Sequence, residues 1–131
     1  MRITTRGRYA LRVMIDVAQN QSNGYVSINS ISERQDISNK YLERIINKLT
    51  KANLLSATRG IKGGYKLSKP VSDYKIGDII RVAEGDLNII DCLYKEDCVR
   101  KKKCKAYPFW KGLDDTINEY ADSITLEELL K

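Results

Sequence analysis

Apolar residues first recur at Ala10, Val13, Met14, Val17 and Ala18, the i, i+3, i+4 spacing of an amphipathic helix. This predicts a first helix from about Gly7 to Gln19, with Thr5 as its N-cap. Asn20 to Gly24 supplies the turn chemistry that ends it, and Ser27 is placed to cap a second, short helix through Ile28, Ile31 and Gln35. Only Asp36 and Ile37 separate that helix from a third, which starts behind Ser38 and carries Tyr41, Leu42, Ile45, Ile46, Leu49 and Ala52 on one stripe. Two helices joined this tightly, the second longer and polar on its outer side, form the pattern of a helix-turn-helix.

After Asn53 the pattern becomes extended. Leu54 to Arg59, the run Gly60-Ile61-Lys62-Gly63-Gly64, and Tyr65 to Ser68 predict a β-hairpin decorated by Arg59, Lys62 and Lys66, the wing of a winged helix. Lys75 to Glu84 predicts a short helix with Ile76, Ile79, Ile80 and Ala83 inward and Gly85 as its stop. Residues 91–107 show no apolar period and predict a loop of about 17 residues, a length that usually accompanies function. Pro108 opens a last helix with Trp110, Leu113, Ile117, Tyr120, Ala121 and Ile124 at helical spacing, and Thr125 with Glu128 forms a capping box after it. The expected fold is mainly α with a small β-hairpin, a winged helix-turn-helix domain plus a long C-terminal dimerisation helix. Its regions are 1–85 (DNA binding), 86–107 (a cysteine-containing sensor loop) and 108–131 (dimerisation helix and final turn).

Charge sharpens this picture. Residues 1–70 hold 13 Lys+Arg against 4 Asp+Glu, whereas residues 71–131 hold 10 against 13, so the net +6 divides into +9 and −3. A basic half fits nucleic acid or an anionic membrane surface, and the basic residues fall on the helix pair and wing, not on one amphipathic face. No apolar run approaches the roughly 18 residues of a membrane span, and Arg12 and Asp16 interrupt the N-terminal apolar positions, so neither a span nor a signal peptide is expected and the location is cytoplasmic. Histidine is absent, which removes His-dependent nucleophiles and zinc sites, and no enzyme is expected.

With its apolar stripe inward, the third helix presents Asn39, Lys40, Glu43, Arg44, Asn47, Lys48 and Lys51, next to the capping Ser38. Asn and Arg bond base edges in bidentate fashion, Glu accepts from a cytosine amino group, and Lys meets phosphate. A solvated face has the same composition; the short helix before it and the basic wing after it favour recognition. Arg59 or Lys62, beside Gly63 at the hairpin tip, is suited to a minor groove. Arg6, Arg8 and Tyr9 are placed to hold a phosphate at the start of the first helix, although Tyr9 serves equally as core.

Cys92, Cys98 and Cys104 follow a C-x5-C-x5-C pattern in polar surroundings. Continuous helix would scatter the thiols over different faces, whereas a curled loop converges them. The odd count disfavours a closed disulfide framework and leaves a cluster or metal, redox thiols, or no role. Lys101, Lys102, Lys103 and Lys105 favour the thiolate form.

The opening MRITTRGRYALRVMIDVA, the helix pair from Ser27 to Lys51, the wing RGIKGGYKLSKP, IGDIIRVAEG and the closing helix resemble the IscR-type (Rrf-two) family of bacterial winged-helix transcription regulators, over essentially the whole chain. The resemblance implies a homodimer joined by the C-terminal helix, double-stranded promoter DNA as ligand, Glu43 reading bases and Arg59 probing the minor groove. It also implies an iron–sulfur cluster, of 2Fe–2S type, on Cys92, Cys98 and Cys104, with a histidine three residues after the last cysteine as fourth ligand. Tyr107 stands at that position here, and Arg8 stands where some relatives take a carboxylate from the first helix. The fourth ligand is therefore open between a carboxylate, Tyr107, an exogenous ligand and a residue of the partner subunit. The expected function is a homodimeric regulator sensing iron–sulfur status, redox state or nitric oxide. The alternatives are a CymR-like regulator of cysteine metabolism controlled by a partner protein, and a thiol-redox sensor without a cluster.

Overall fold

The computed structural model describes residues 2–94 and 98–131; residues 95–97 of the expected sensor loop lie outside the described residues. The elements are α1 (Thr5–Asn20), α2 (Ile28–Gln35), α3 (Asn39–Lys51), β1 (Leu55–Thr58), β2 (Gly64–Leu67), α4 (Ile76–Glu84), α5 (Tyr107–Ser123) and α6 (Leu126–Leu129), with single 3-10 turns at Gln21–Asn23, Val71–Asp73 and Asp91–Leu93. This is the expected winged helix, mainly α with one antiparallel hairpin.

The first helix begins earlier than its apolar period predicts, and its cap is Thr4, not Thr5. The Thr4 hydroxyl accepts from the Arg6 N–H, while the Thr5 hydroxyl is used elsewhere, 2.7 Å from the Tyr41 hydroxyl. Glu84, at the end of α4, explains the early start: one carboxylate oxygen accepts from the Thr4 N–H (2.7 Å), the Thr4 hydroxyl (2.7 Å) and the Gly7 N–H (3.0 Å). A negative group at these unpaired donors is favoured by the helix dipole as well.

A single core holds α1 to α4 together through Val13, Met14, Ile31, Leu42, Ile46, Leu49 and Ile79, and Leu126 of α6 lies fully buried in the same core. The tail is secured there by backbone bonds from Ile76 N–H to Ile124 O and from Leu126 N–H to Tyr74 O, each 3.0 Å. Tyr74 closes the joint to the wing, its buried hydroxyl donating to Leu54 O at 2.7 Å.

In the wing, Leu55 pairs with Leu67 and Thr58 with Gly64. Val26 adds a third, one-residue rung, exchanging two 2.8 Å backbone bonds with Tyr65. Glycine is required beside that rung, because a Cβ on Gly64 would stand 2.3 Å from Val26 O.

Two carboxylates in these joints titrate low. Burial opposes the charge on Glu84, but the bonds from Thr4 and Gly7, with Arg6 nearby, outweigh it and lower its pKa. Asp122 is lowered chiefly by its hydrogen bond to Arg81. A carboxylate whose folded pKa is depressed stabilises the fold above its unfolded value, and that contribution disappears as pH falls through the folded value. Thermal unfolding followed by circular dichroism should therefore show a midpoint that declines below about pH 4.5, with a shallower acid limb in Glu84→Gln.

Candidate nucleic-acid interface

The tight turn between α2 and α3 depends on Asp36, which adopts the left-handed region at φ 54°, and on the Ser32 hydroxyl, which donates to Ile37 O at 2.6 Å. Ser38 then caps α3, its hydroxyl accepting from the Tyr41 N–H at 3.2 Å. Burial of Leu42, Ile45, Ile46 and Leu49 turns Asn39, Lys40, Glu43, Arg44, Asn47, Lys48 and Lys51 outward, and all seven are exposed. Glu43 forms no ion pair or side-chain hydrogen bond among the described residues. Two of the seven are partly engaged: the Asn39 amide donates to Asn29 Oδ1 at 2.7 Å, and Lys48 Nζ reaches Ala83 O at 3.4 Å.

The start of α1 lies against α3. Arg6, Arg44 and Lys48 share a pocket of about 230 Å³ with Tyr41 and Ala83, so three cations converge where the helices meet. Tyr9 is half-buried, in a T-shaped pair with Tyr41 at a centroid distance of 5.6 Å, and has the Arg12 guanidinium over its ring at 5.1 Å. Tyr41 thus belongs to this junction more than to the inner stripe in which its spacing places it. At the wing tip Gly63 N–H donates to Gly60 O at 3.0 Å, which puts Ile61 and Lys62 at the corners of a turn. Arg59, Ile61 and Lys62 are exposed, whereas Gly63 is half-buried, and a Cβ there would stand 2.6 Å from Thr58 O.

Periodicity does not reveal the buried charge behind this face. Asp16 is 1% exposed and accepts from Arg34 Nε (2.9 Å) and a second Arg34 nitrogen (2.8 Å), and from the Gln35 amide (2.9 Å). The available signal is a carboxylate adjoining the buried stripe of α1, which demands a partner.

The three thiols are free, with Cys92 and Cys98 half-buried and Cys104 exposed. Among the described residues no three Cys, Asp or Glu side chains are gathered as a metal site. The donor set suits a soft metal or an iron–sulfur cluster in kind and falls one ligand short, since Tyr107 occupies the expected fourth position. Tyr107 instead has Lys101 Nζ 5.6 Å from its ring centroid. The segment around Cys92 is tied to α5: the buried carboxylate of Asp114 accepts from the Ile89 N–H at 3.3 Å and from the Tyr94 hydroxyl. That bond, with some burial, pushes the Tyr94 pKa up to about 12. Further along α5, Arg81 of α4 bonds Asp122 (2.8 and 2.9 Å) and Asn118 (2.8 Å). The opposite side of α5 leaves Phe109, Trp110, Leu113 and Tyr120 exposed, beside an apolar groove of about 510 Å³ that includes Leu11, Ile80 and Ile117.

Residues 3–131 match the Rrf2 family profile, described as an iron-dependent transcriptional regulator. The HTH-type transcriptional regulator IscR of Escherichia coli is 39% identical over 130 residues, covering 99% of this chain and 80% of that protein. Among solved structures, CymR, the global cysteine regulator of B. subtilis, superimposes with a TM-score of 0.83 at 35% identity, covering 99% of this chain and 96% of that one. IscR of T. potens does so with a TM-score of 0.77 at 40% identity, covering 99% and 86%.

The convergence of Arg6, Arg44 and Lys48 predicts binding to duplex DNA whose affinity falls steeply as salt rises from about 50 to 200 mM. In a fluorescence-anisotropy series, Arg6→Ala should weaken a random duplex and its selected counterpart alike and lower the salt slope by about 1.

Proposed function

Since the chain belongs to the Rrf2 family of transcriptional regulators, we propose that it is a homodimeric, sequence-specific, cytoplasmic regulator of promoter DNA, responsive through its three-cysteine loop. The observation that carries this reading is the outer face of α3, where Glu43, without an ion pair among the described residues, stands among Lys40, Arg44 and Asn47, with Arg6 of α1 beside Arg44 and Lys48. Glu43 and Asn47 read base edges in the major groove; Arg44, Lys40 and Lys48 meet its walls. Arg6 and Tyr9 hold the backbone at the start of α1, the capped N-terminus at Ser38 and Asn39 approaches phosphate, and Arg59, Lys62 and the Gly63 backbone follow the minor groove.

The dimer forms through the exposed apolar side of α5. Phe109, Trp110, Leu113 and Tyr120 leave large apolar side chains exposed along that side, as protein interfaces do. Two-fold symmetry then presents two α3 helices to half-sites about one helical turn apart.

Cys92, Cys98 and Cys104 are the residues that would hold an iron–sulfur cluster, and such a group supplies sensitivity to oxidants, nitric oxide or cluster supply. The protein's own part is transmission. Asp114 couples the Cys92 segment to α5, Arg81 couples α5 to α4, and Glu84 couples α4 to the first turn of α1 beside α3. Two arrangements of the loop would bias the population of DNA-competent dimers through these joints. The likeness to CymR, with the missing fourth ligand, favours a second reading in which a partner protein or thiol oxidation acts on the same loop.

Against a duplex selected from a random pool by the wild-type protein, Glu43→Ala and Arg59→Ala should each change the selected sequence and cost about tenfold in affinity. Equal preference in wild type and both variants would remove the assigned surface. In sedimentation, the wild type should run as a dimer, and Leu113→Glu as a folded monomer with unchanged far-UV circular dichroism. Anaerobic reconstitution should yield iron, sulfide and visible absorption that each Cys→Ala variant loses, and Tyr107→His should prolong the absorption in air. A wild type that takes up neither iron nor sulfide transfers control to the second reading.

A further inference from the structure

The wing tip contains a residue that turn chemistry does not explain. Ile61 occupies a corner of the turn closed by Gly63 N–H and Gly60 O, where Gly, Pro, Asn, Asp and Ser are the usual residues. It is wholly exposed and packs on nothing in the core. The other exposed large apolar residue of the helix-turn-helix and wing, Tyr25, has Lys66 Nζ 4.9 Å from its ring centroid, so Ile61 alone stands uncovered. A local rule broken without gain to the fold points to a role in binding.

Its surroundings suit a nucleic-acid strand. Ile61 and Lys62 form one wall of an open groove of about 660 Å³, and Ser27, Ser30 and Arg34 line the other side at α2. The first turn of α2 also touches the start of α3 through the bond between Asn29 and Asn39. The wing tip and the N-terminus of α3 therefore border the same end of α2. A sugar-phosphate strand lying along this polar groove leaves the hairpin apex, Arg59, Ile61 and Lys62, over the adjoining minor groove.

Resting on the DNA-binding reading above, we propose that Ile61 is a specificity residue, an apolar wedge that enters the minor groove beneath the wing and selects A·T over G·C pairs. An isoleucine offers no acceptor. On the groove floor it fits against A·T pairs, whereas the exocyclic amino group of guanine projects into its space and loses its water without gaining a partner. Arg59 and Lys62, on either side, are drawn to the narrow and more negative groove of the same A·T sequences. The cations and the wedge select in the same direction by different physics, and substitution separates them.

The test uses the full chain and a duplex of about 30 base pairs selected from a random pool by the wild-type protein, with the pairs beneath the wing located by footprinting of wild type against Arg59→Ala. Replacing those A·T pairs by G·C should cost the wild type about tenfold in affinity. Inosine·cytosine, which lacks the minor-groove amino group, should restore binding to within about twofold, and 2,6-diaminopurine·thymine, which adds it, should weaken binding as G·C does. Ile61→Ser should reduce the G·C penalty to under about threefold, and Ile61→Leu should retain it; the position is exposed, so both variants should fold. An unchanged G·C penalty in Ile61→Ser, or inosine·cytosine as weak as G·C, overturns the wedge while leaving DNA recognition intact. Failure of the wild type to enrich any sequence overturns the regulator reading, and the wedge with it.

Discussion

The placement of the reading helix depends on one buried carboxylate. Asp16 sits on α1 at 1% exposure and accepts three bonds from the last turn of α2. Desolvating such a group costs several kcal/mol, about the scale of a whole domain's stability, and that cost is offset only when the bonding geometry is good and the remaining lone pairs are satisfied. The two-pronged approach of Arg34 meets that condition, and the hydrogen bond to Asp16 raises the Arg34 pKa. The turn at Asp36 follows directly, and α3 starts three residues later. An apolar contact at this place would hold α2 against α1 but would tolerate rotation; a bidentate pair does not. The direction in which Glu43 and Arg44 point is thus set from within α1.

The same device recurs at each later joint. Glu84 fixes the end of α4 to the beginning of α1, Asp122 and Asn118 fix α5 to Arg81 of α4, and Asp114 fixes the segment around Cys92 to α5. Each is a carboxylate or amide reaching between elements that also share apolar contacts, so packing supplies cohesion and the polar bonds supply register. A joint of this kind has discrete arrangements, bonded or not, and a chain of them carries a two-state signal better than a continuously deformable core. The loop that bears the thiols and the helix face that bears the free carboxylate are the two ends of that chain.

Much of this was legible in the residues. The periods of α2 and α4, the buried Leu42, Ile45, Ile46 and Leu49 of α3, the caps Ser27 and Ser38, the glycine-rich wing and the seven outward residues of α3 follow from local rules, whereas Ala52, expected on the α3 stripe, lies past the helix end and is exposed. What local rules missed lay in long-range pairing. The early start of α1 depends on Glu84, 77 positions beyond Gly7 in the chain. Tyr41 stays half-buried against the core while its hydroxyl meets Thr5 and its ring meets Tyr9, contacts that its helical spacing does not reveal. The thiol spacing is plain in the sequence, but spacing alone does not assemble a site, and among the described residues no three Cys, Asp or Glu side chains gather as one.

The charge of the reading face is organised for discrimination as much as for strength. The first 70 residues carry only four carboxylates. Asp16 is neutralised by Arg34, and Glu43 is the one placed among Lys40, Arg44 and Asn47 on α3. A neutral residue there would strengthen attraction to any polyanion. A carboxylate instead opposes phosphate and every base edge that offers only acceptors, and it is compensated where a cytosine amino group donates to it. The cations around it raise affinity for all sequences, so the carboxylate can lower affinity for most of them and still leave a usable complex on the remainder. On the proposed interface, specificity arises from this local repulsion inside a basic field, and the wing extends the same logic to the minor groove with a side chain that offers no acceptor.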